Sequence, residues 1–533
     1  MFVSEWGRSH IYFPIQGREG TIVIDWGDGT TDTISSGNEE YIEHYFRASS
    51  SIVTVKGTIK KWSCNVYIPL NNSSVCYDTL RKIHSYGTVS FGKYAFANAN
   101  MLNSLPANES PKFYNNEMVG VFINLKYFNQ PINHWDTSKV STMAHMFNGA
   151  SSFNQPLDKW DTSNVQDMKH MFDGASSFNQ PLDKWDTSNV QDMANMFQDA
   201  TAFNESLNSW NTSKVKNMRS MFYNATSFNQ PLNNWDTSNV TNMSAMFVSS
   251  KDFDQPLNNW DTSNITDMSA MFYEATSFNQ PLNNWNTSNV TTMQRMFYEA
   301  KSFNGSLNNW DTSNVTNMRE MFNYAKSFNG SLSNWDTSNV TDMSQMFAHT
   351  NSFNQPLNSW NTSNVTNMSE MFRGTSFNQS LDNWNTSNVT NMSEMFKYAD
   401  SFNQPLNNWD TSNVTNMSHM FYGATLFNQP LDKWNTSNVT NMSAMFYEAT
   451  SFNQPLNNWN TSNVTDMSQM FARANSFNQP LDNWDIKNCS LSWIFKDSRL
   501  GIVNYCRLFK GKSKEIWRKY ESKLGVPSSY KCY

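Results

Sequence analysis

Charge, cysteine and long apolar runs are all scarce in this sequence of 533 residues. Lys and Arg number 38 and Asp and Glu 45, which gives a formal net charge of −7. So mild a charge over such a length does not favour electrostatic binding, and we expect no nucleic-acid partner. No segment approaches the ~18 consecutive apolar residues of a membrane-spanning helix, so we expect no membrane insertion.

The cysteines are few, odd in number and outside the regular repeat described below: Cys64, Cys76, Cys489, Cys506 and Cys532. None of their spacings matches a zinc site. Cys64 with Cys76 and Cys506 with Cys532 would form disulfides in an oxidising compartment, whereas Cys489 replaces a buried Val. The redox compartment therefore stays open. Residues 1–8 lack a basic segment followed by an apolar run, so no signal peptide is predicted there.

A repeat of Trp, Phe and Met dominates what remains. Tryptophan recurs every 25 residues, with a single step of 24 after Trp360, at positions 135, 160, 185, 210, 235, 260, 285, 310, 335, 360, 384, 409, 434, 459 and 484. A fixed period of this length is typical of solenoids, in which each coil buries its apolar side against its neighbours. The pattern predicts about fifteen 25-residue coils over 129–497.

Within one repeat, the apolar spacing predicts a short helix. Five apolar residues fall at i, +3, +6, +7 and +10, which is one helical face: Val190, Met193, Met196, Phe197 and Ala200. Ser188 precedes them as a candidate N-cap. The stretch from Phe203 to Trp210 is too short for a second helix, and we predict an extended segment beside its copy in the next coil. The expected fold is an α/β solenoid similar to leucine-rich repeats, and a β-helix without helical turns is the alternative architecture.

Two polar columns are as regular as the apolar ones. Asn follows the second Phe of nearly every coil, as at Asn154 and Asn179, with Asp254 as an exception. Thr-Ser-Asn or Thr-Ser-Lys follows nearly every Trp of the coils. Because buried turns need partners for their backbone groups, we interpret these columns as scaffold ladders rather than catalytic residues.

The first 62 residues do not repeat and are predicted to be β-rich. Short β-branched runs alternate with turn residues, and Asp28-Gly29 is a strong hairpin signal. The segment Ile24-Asp-Trp-Gly-Asp-Gly-Thr30 resembles the W-G-D-G-T signature of PKD-type domains, which implies a small Ig-like β-sandwich over 1–62. Asp25, Asp28 and Asp32 do not have the D-x-D-x-D-G spacing of a calcium loop, so a turn is the favoured interpretation.

The repeats themselves resemble a second family. Segments such as Leu80 to Gly87 and Tyr94 to Pro106 are similar to BspA-like leucine-rich repeats, so 63–128 is predicted to be an irregular N-terminal cap. The coils of 135–477 follow M-F-x-x-A-x-x-F-N-x-x-L-x-x-W-[DN]-T-S-x-V-x-x-M, the 25–26-residue repeat of bacterial surface proteins, including Mycoplasma- and Listeria-type lipoproteins. That resemblance implies surface display and adhesion, while an intracellular or virion location stays open.

The C-terminal region, 498–533, is predicted to be a helical cap. Residues 513–524 have the pattern of an amphipathic helix, with Ser513 as N-cap and Gly525 as stop. Leu524 belongs to the face that would cover the last coil. The basic outer face of this helix, with Lys514 and Arg518, is interpreted as solvated rather than as a binding patch.

We expect a non-enzymatic protein without a cofactor, because near-identical coils provide no place with unique chemistry. His145 and His170 share one repeat position, but a metal there would need further ligands. The residues after Met-Phe vary between coils, and tyrosines recur there as candidate contacts for a protein or glycan partner: Tyr223, Tyr273, Tyr298, Tyr324, Tyr398, Tyr422 and Tyr447. A tolerant surface position is the alternative for these residues, and a structural spacer without a defined ligand is the alternative for the whole protein.

Overall fold

The N-terminal part of the chain consists of short strands. They are β1 (Phe2–Trp6), β2 (His10–Pro14), β3 (Arg18–Asp25), β4 (Thr31–Ile34), β5 (Tyr41–Tyr45), β6 (Ser51–Ile59), β7 (Leu80–Ser85), β8 (Ser90–Phe91) and β9 (Lys112–Phe113). The computed structural model describes residues 1–7, 10–16, 18–35, 40–46, 51–64, 76, 79–509, 512 and 523–525. They belong to two units, Met1–Asn264 and Ile265–Tyr533.

Two antiparallel sheets enclose an aromatic core. One sheet has the order β4-β3-β6-β1-β7, and β2 pairs with β5 in the other. Side chains alternate along β1, where Phe2, Ser4 and Trp6 are buried. Phe13 of β2 lies 5.6 Å from Trp6 and 5.6 Å from Trp26, measured between ring centroids. The expectation of a β-rich N-terminus is therefore confirmed.

The predicted boundary at residue 62 needs correction, because the sheet continues beyond it. Strand β7, which comes from the segment predicted as a separate cap over 63–128, pairs with β1. Its Leu80 is fully buried, so the strand covers apolar surface of the sheet. Trp62 also lies 4.8 Å from Phe2 and 6.4 Å from Phe91, so one core joins the sheets to the residues that follow.

The remainder of 63–128 divides into two parts. Residues 65–75, 77 and 78 lie outside the described residues. A disulfide joins Cys64 to Cys76, the two residues that flank 65–75. From residue 93 onward the segment already has the geometry of a coil. The amides of Tyr94 and Gly120 donate to carbonyls of the next turn of chain, at 2.7 and 2.8 Å. The irregular sequence therefore forms the first rungs of the repeat.

The helix predicted over Val190–Ala200 is wrong, and no coil contains a helix in the described part of the chain. The segment is a series of turns, because Asn195 (φ 58°) and Asp199 (φ 55°) adopt the left-handed backbone conformation. Ser188 does not cap a helix, since its own amide donates to Asp186 Oδ1 at 2.9 Å. The α/β class is thus replaced, within the coils, by a fold of stacked turns.

The turns are joined into a ladder by alternate amides. Every second amide donates to a carbonyl of the following coil, at 2.8–3.0 Å: Met193 to Asn217, Asn195 to Arg219, Phe197 to Met221 and Asp199 to Tyr223. The amides between them donate to the carbonyl three residues back, as in β-turns: Met196 to Met193, Gln198 to Asn195 and Ala200 to Phe197. The same alternation recurs in the second unit, for example from Met343 to His349. We call this array the turn ladder.

The apolar positions of the repeat form the core, as predicted. Trp185, Met196 and Phe197 are at most 4% exposed. Like residues stack along each unit, with centroids 6.4 Å apart between Trp185 and Trp210. The apolar spacing of a helix was correct for the buried face but not for the backbone, because successive turns can also direct these positions inward.

The polar columns are scaffold, as interpreted from the sequence. Asn154 Oδ1 accepts the Asn179 amide and the Gln180 side chain, both at 3.0 Å. Asn189 Nδ2 donates to the Ser163 carbonyl of the previous coil at 2.7 Å. The predicted extended segment from Phe203 to Trp210 forms no strand, so it is this side-chain ladder that joins the coils there.

The C-terminal residues close the ladder. The amides of Trp493 and Phe495 donate to the carbonyls of Lys523 and Leu524, where a further coil would otherwise stand. Leu524 is fully buried, as predicted for its face. Residues 513–522 of the predicted helix lie outside the described residues. The described part of the chain contains the α-helix α1 (Ile502–Arg507) and a single 3₁₀ turn at Tyr114–Asn116. No helix in the described ranges is long and apolar enough to cross a membrane.

Candidate binding surface on the turn ladder

Sequence variation between coils concentrates at three positions of the turn ladder, those of Asn195, Gln198 and Asp199. We call their columns the variable face. The first and third positions have positive φ along the chain, from His145 (59°) to Arg473 (56°). Side chains of either charge, aromatic rings and small residues all occur there, because the inward core does not constrain them.

The predicted tyrosines all lie on this face. Tyr223 is in the first unit, is 37% exposed and has no stacked partner among the described residues. The other six lie in the second unit and form two clusters. Ring centroids of Tyr273, Tyr298, Tyr324 and His349 follow one another at 4.5, 6.3 and 4.4 Å. Those of Tyr398, Tyr422 and Tyr447 follow at 5.1 and 4.4 Å.

Stacking determines what these rings offer to a partner. Tyr273 and Tyr298 are parallel within 4°, so each covers a face of the other. Their edges and hydroxyls remain for contact with another molecule. Burial, followed by the neighbouring Tyr298 and Glu274, raises the pKa of Tyr273 to about 12, and burial also raises the pKa of Tyr422. The hydroxyls are therefore neutral hydrogen-bond donors at physiological pH.

An ionic network separates the two clusters. Arg373 Nη1 lies 2.6 Å from Glu370 Oε2 and 3.2 Å from Glu394 Oε2, and Lys397 Nζ lies 2.9 Å from that Glu394 oxygen. Lys397 Nζ is also 5.2 Å from the Tyr422 ring centroid, within cation–π range. These charges neutralise one another between coils, which limits their attraction for an outside ion.

A second variable column was missed by the sequence reasoning. Arg295 Nε donates to Glu320 Oε2 at 2.7 Å, and both residues occupy the position of Asn195 in successive coils. Glu320 is 4% exposed, so this pair fixes one coil against the next. The available signal was variability at that position, three residues before the tyrosines, together with the opposite charges of Arg295 and Glu320 one repeat apart.

The histidine pair is stacked rather than arranged as a metal site. The His145 and His170 centroids are 4.5 Å apart, and His170 Nδ1 lies 2.9 Å from Asp173 Oδ2. Burial, followed by the neighbouring His170, lowers the pKa of His145. In the described ranges, no group of three or more His, Cys, Asp or Glu side chains is placed to hold a metal ion.

The aspartates near the N-terminus accept hydrogen bonds within and around one turn. Asp25 Oδ1 accepts the Gly27 amide at 3.0 Å, and Asp32 Oδ2 accepts Trp26 Nε1 at 2.9 Å. Asp28 Oδ1 accepts both the amide and the hydroxyl of Thr30. Hydrogen bonding from Thr30, with a further contribution from His44, lowers the pKa of Asp28 to about 2. The turn interpretation is therefore correct.

Comparison with known protein families identifies one family whose sequence pattern matches the repeat. The model described as "Mycoplasma protein of unknown function, DUF285" matches residues 93–210, 228–329, 302–408 and 399–499. Its first match begins at residue 93, next to Tyr94, whose amide forms one of the first bonds of the turn ladder. No curated protein matches the chain. Since the matches cover well over half of the sequence, the chain belongs to the Mycoplasma repeat family DUF285.

Proposed function

We propose that the protein is a non-enzymatic binding or adhesion protein that contacts a protein partner through the tyrosine clusters of its second unit. The observation that carries this proposal is the stacking of Tyr273 on Tyr298 and of Tyr422 on Tyr447. A sugar ring binds an aromatic residue through the ring face, and these faces are largely covered. Edges and hydroxyls suit the side chains and backbone of a protein partner.

The order built into the clusters lowers the entropic cost of binding. Neighbouring rings and the Lys397 ammonium restrict Tyr422, so little side-chain freedom remains to be lost. Tyrosines in such positions are frequent hot spots, and truncation of one costs at least about 1–2 kcal/mol, or roughly tenfold in Kd.

Surface display is part of the same proposal. Its supports are the resemblance of the repeat to surface proteins and the Cys64–Cys76 disulfide, a bond typical of oxidising compartments. We also propose that the N-terminal sandwich is PKD-like, on the basis of the Trp26–Thr30 turn, and that the coils are related to BspA-like leucine-rich repeats, on the basis of their period.

A structural spacer is the second candidate, and one observation favours it. Arg295 with Glu320, and Arg373 with Glu394, join adjacent coils. Variation that serves such pairing would set the stacking of the coils without any external ligand.

Affinity capture with the immobilised full chain separates the two candidates. Candidate surface proteins would be tested against the unmodified chain and against the triple variant Tyr273→Ala, Tyr298→Ala and Tyr447→Ala. Tyr127→Ala is the matched control, because Tyr127 is 76% exposed but lies off the variable face. We expect a partner that the control retains and the triple variant loses. Equal retention by both variants, or no saturable partner, would favour the spacer.

A further inference from the structure

A cavity of about 500 Å³ opens in the first unit, where the irregular residues 110–116 meet residues 136–140 of the first regular coil. Its lining includes Ser90, Ser110, Lys112, Asn116, Asp136 and Lys139. The volume is in the range of small-molecule sites. We propose that this cavity binds an acidic saccharide, a sugar that carries a carboxylate or sulfate. This proposal is independent of the tyrosine clusters.

Two lysines supply the positive charge. Some other lysines of the first unit are paired, such as Lys93 with Glu117 at 3.2 Å and Lys184 with Asp158 at 3.2 Å. Lys112 and Lys139 are exposed at the cavity and form no ion pair with any residue that the structure describes. An acidic group held between them would gain two charge-assisted hydrogen bonds.

Lys139 departs from the scaffold at this place. In the following coils its position is taken by asparagines, such as Asn164, whose Nδ2 donates to the Ser138 carbonyl at 2.7 Å. Lys214 also takes this position, but its Nζ donates to Asn189 Oδ1 at 2.7 Å and so remains in the ladder. The Lys139 ammonium forms no such hydrogen bond in the described part of the chain. After the hydrogen bonds from Ser138, its charge also helps to lower the pKa of the nearby Asp136 carboxyl group, and its N–H groups are available to a ligand.

The rest of the lining suits the hydroxyls and the carbon face of a sugar. Asp136 Oδ1 accepts the amide and hydroxyl of Ser138, chiefly the hydroxyl, which lowers the pKa of the carboxyl group and keeps it ionised. An ionised carboxylate accepts hydrogen bonds from sugar hydroxyls, and Ser90 adds a hydroxyl of its own. Pro111 and Phe113 contribute apolar surface. A bare inorganic anion would use only the lysines, so this lining favours a saccharide.

An exposed aromatic ring stands beside the cavity. Tyr114 is 43% exposed and begins the turn Tyr114–Asn116. Its ring stacks on no other ring among the described residues, unlike the rings of the two clusters. Asn115 (φ 55°) and Asn116 (φ 57°) are consecutive left-handed residues, a conformation that costs free energy and holds this turn between two clefts. Tyr114 lines the second cleft rather than the cavity itself, so a sugar would contact its ring by extending into that cleft.

Calorimetric titration of the full chain tests the proposal. The probes are trigalacturonic acid, a heparin tetrasaccharide, a neutral maltotriose and inorganic sulfate. We expect saturable binding of at least one acidic saccharide, with Kd at least about tenfold lower than for maltotriose or sulfate. The first two probes distinguish a carboxylated from a sulfated ligand.

Variants then locate the site. Lys139→Asn introduces the residue that most other coils carry, so it should leave the fold intact, and we expect it to weaken binding about tenfold, as should Lys112→Gln. Lys214→Asn is the matched control at the same repeat position, and it should leave the affinity unchanged. The proposal would be overturned if neither acidic saccharide bound, or if sulfate bound as tightly as the saccharide. It would also be overturned if Lys214→Asn weakened binding as much as Lys139→Asn.

Discussion

Replacement of Ala270 by glycine is expected to distinguish the turn ladder from the helix that the sequence favours. Ala270 has φ 54°, and its amide donates to the Gln294 carbonyl at 2.9 Å. In a helix interior, an Ala→Gly change costs about 1 kcal/mol. In the left-handed conformation, alanine itself carries the penalty, because its Cβ lies too close to the following carbonyl oxygen. The two backbones therefore predict opposite signs.

The magnitude follows from two opposing terms. Relief of the left-handed conformation contributes roughly 1–2 kcal/mol in favour of glycine. The greater freedom of glycine in the unfolded chain offsets roughly 0.5–1 kcal/mol of this. We expect Ala270→Gly to raise the free energy of unfolding by about 0.5–1 kcal/mol. In a unit of this size that is about 2 °C in Tm.

Urea unfolding followed by tryptophan fluorescence measures the difference. Ala275 is the matched control in the same coil, since it is fully buried and its φ is not positive. Ala275→Gly should lower stability, because it removes a buried methyl group and adds backbone freedom. If Ala270→Gly destabilised the protein by about 1 kcal/mol, as in a helix, the assignment of stacked turns would be refuted.

Three further outcomes are expected. Trp335→Ala should lower the free energy of unfolding by about 3–5 kcal/mol, because the ring is stacked on both sides at centroid distances of 6.4 and 6.3 Å. Trp484→Ala, in the last regular coil, should mainly loosen the C-terminal end. Equal losses of stability in urea unfolding would contradict a nearest-neighbour array. The pKa of Asp28 is about 2 in the folded chain against an ordinary 3.8. Its carboxylate should therefore stabilise the fold above pH 3.8, and this stabilisation should be lost as the pH falls from 3.8 to about 2. Asp28→Asn should abolish this loss in an acid titration monitored by near-UV circular dichroism. Burial raises the pKa of the Cys489 thiol to about 12. Cys489 should therefore react with a thiol reagent far more slowly in the folded chain than in the urea-unfolded chain. Equal reaction rates would show that the thiol is accessible in the folded chain.

The buried face was predictable from the sequence because it depends on side-chain chemistry. The period located Trp185, Phe197 and their equivalents in the core. The backbone was not predictable in the same way, because positions at +3, +6, +7 and +10 face inward in a helix and in this series of turns alike. The distinguishing feature is the left-handed conformation at Asn195 and Asp199, and residues as different as Arg295 and Ala270 adopt it.

The candidate surfaces, too, were only partly predictable from the sequence. Variability located the tyrosine columns, since exposed positions tolerate change, but nothing in one repeat shows that Tyr422 and Tyr447 stack. The cavity near Lys112 and Lys139 could not be found from the repeat, because most of its lining comes from residues 90–116, ahead of the regular coils. Strand β7 was assigned to the wrong domain for a related reason: its partner β1 lies more than seventy residues earlier, a separation that local patterns do not reveal.

The asparagine ladder has a consequence for carbohydrate attachment to the protein itself. Asn239-Val-Thr241 and the same triplet at Asn314 and in later coils have the N-x-T form that N-glycosylating enzymes modify. The nitrogen that would receive the glycan, Asn239 Nδ2, donates to the Ser213 carbonyl at 2.8 Å, and Asn314 Nδ2 donates to the Ser288 carbonyl at 2.8 Å. Successive coils are only about 4.8 Å apart, which leaves no room for glycans side by side. A glycan would replace one of the two hydrogens on each of these nitrogens and add bulk between stacked coils, so the folded ladder disfavours modification at these sites.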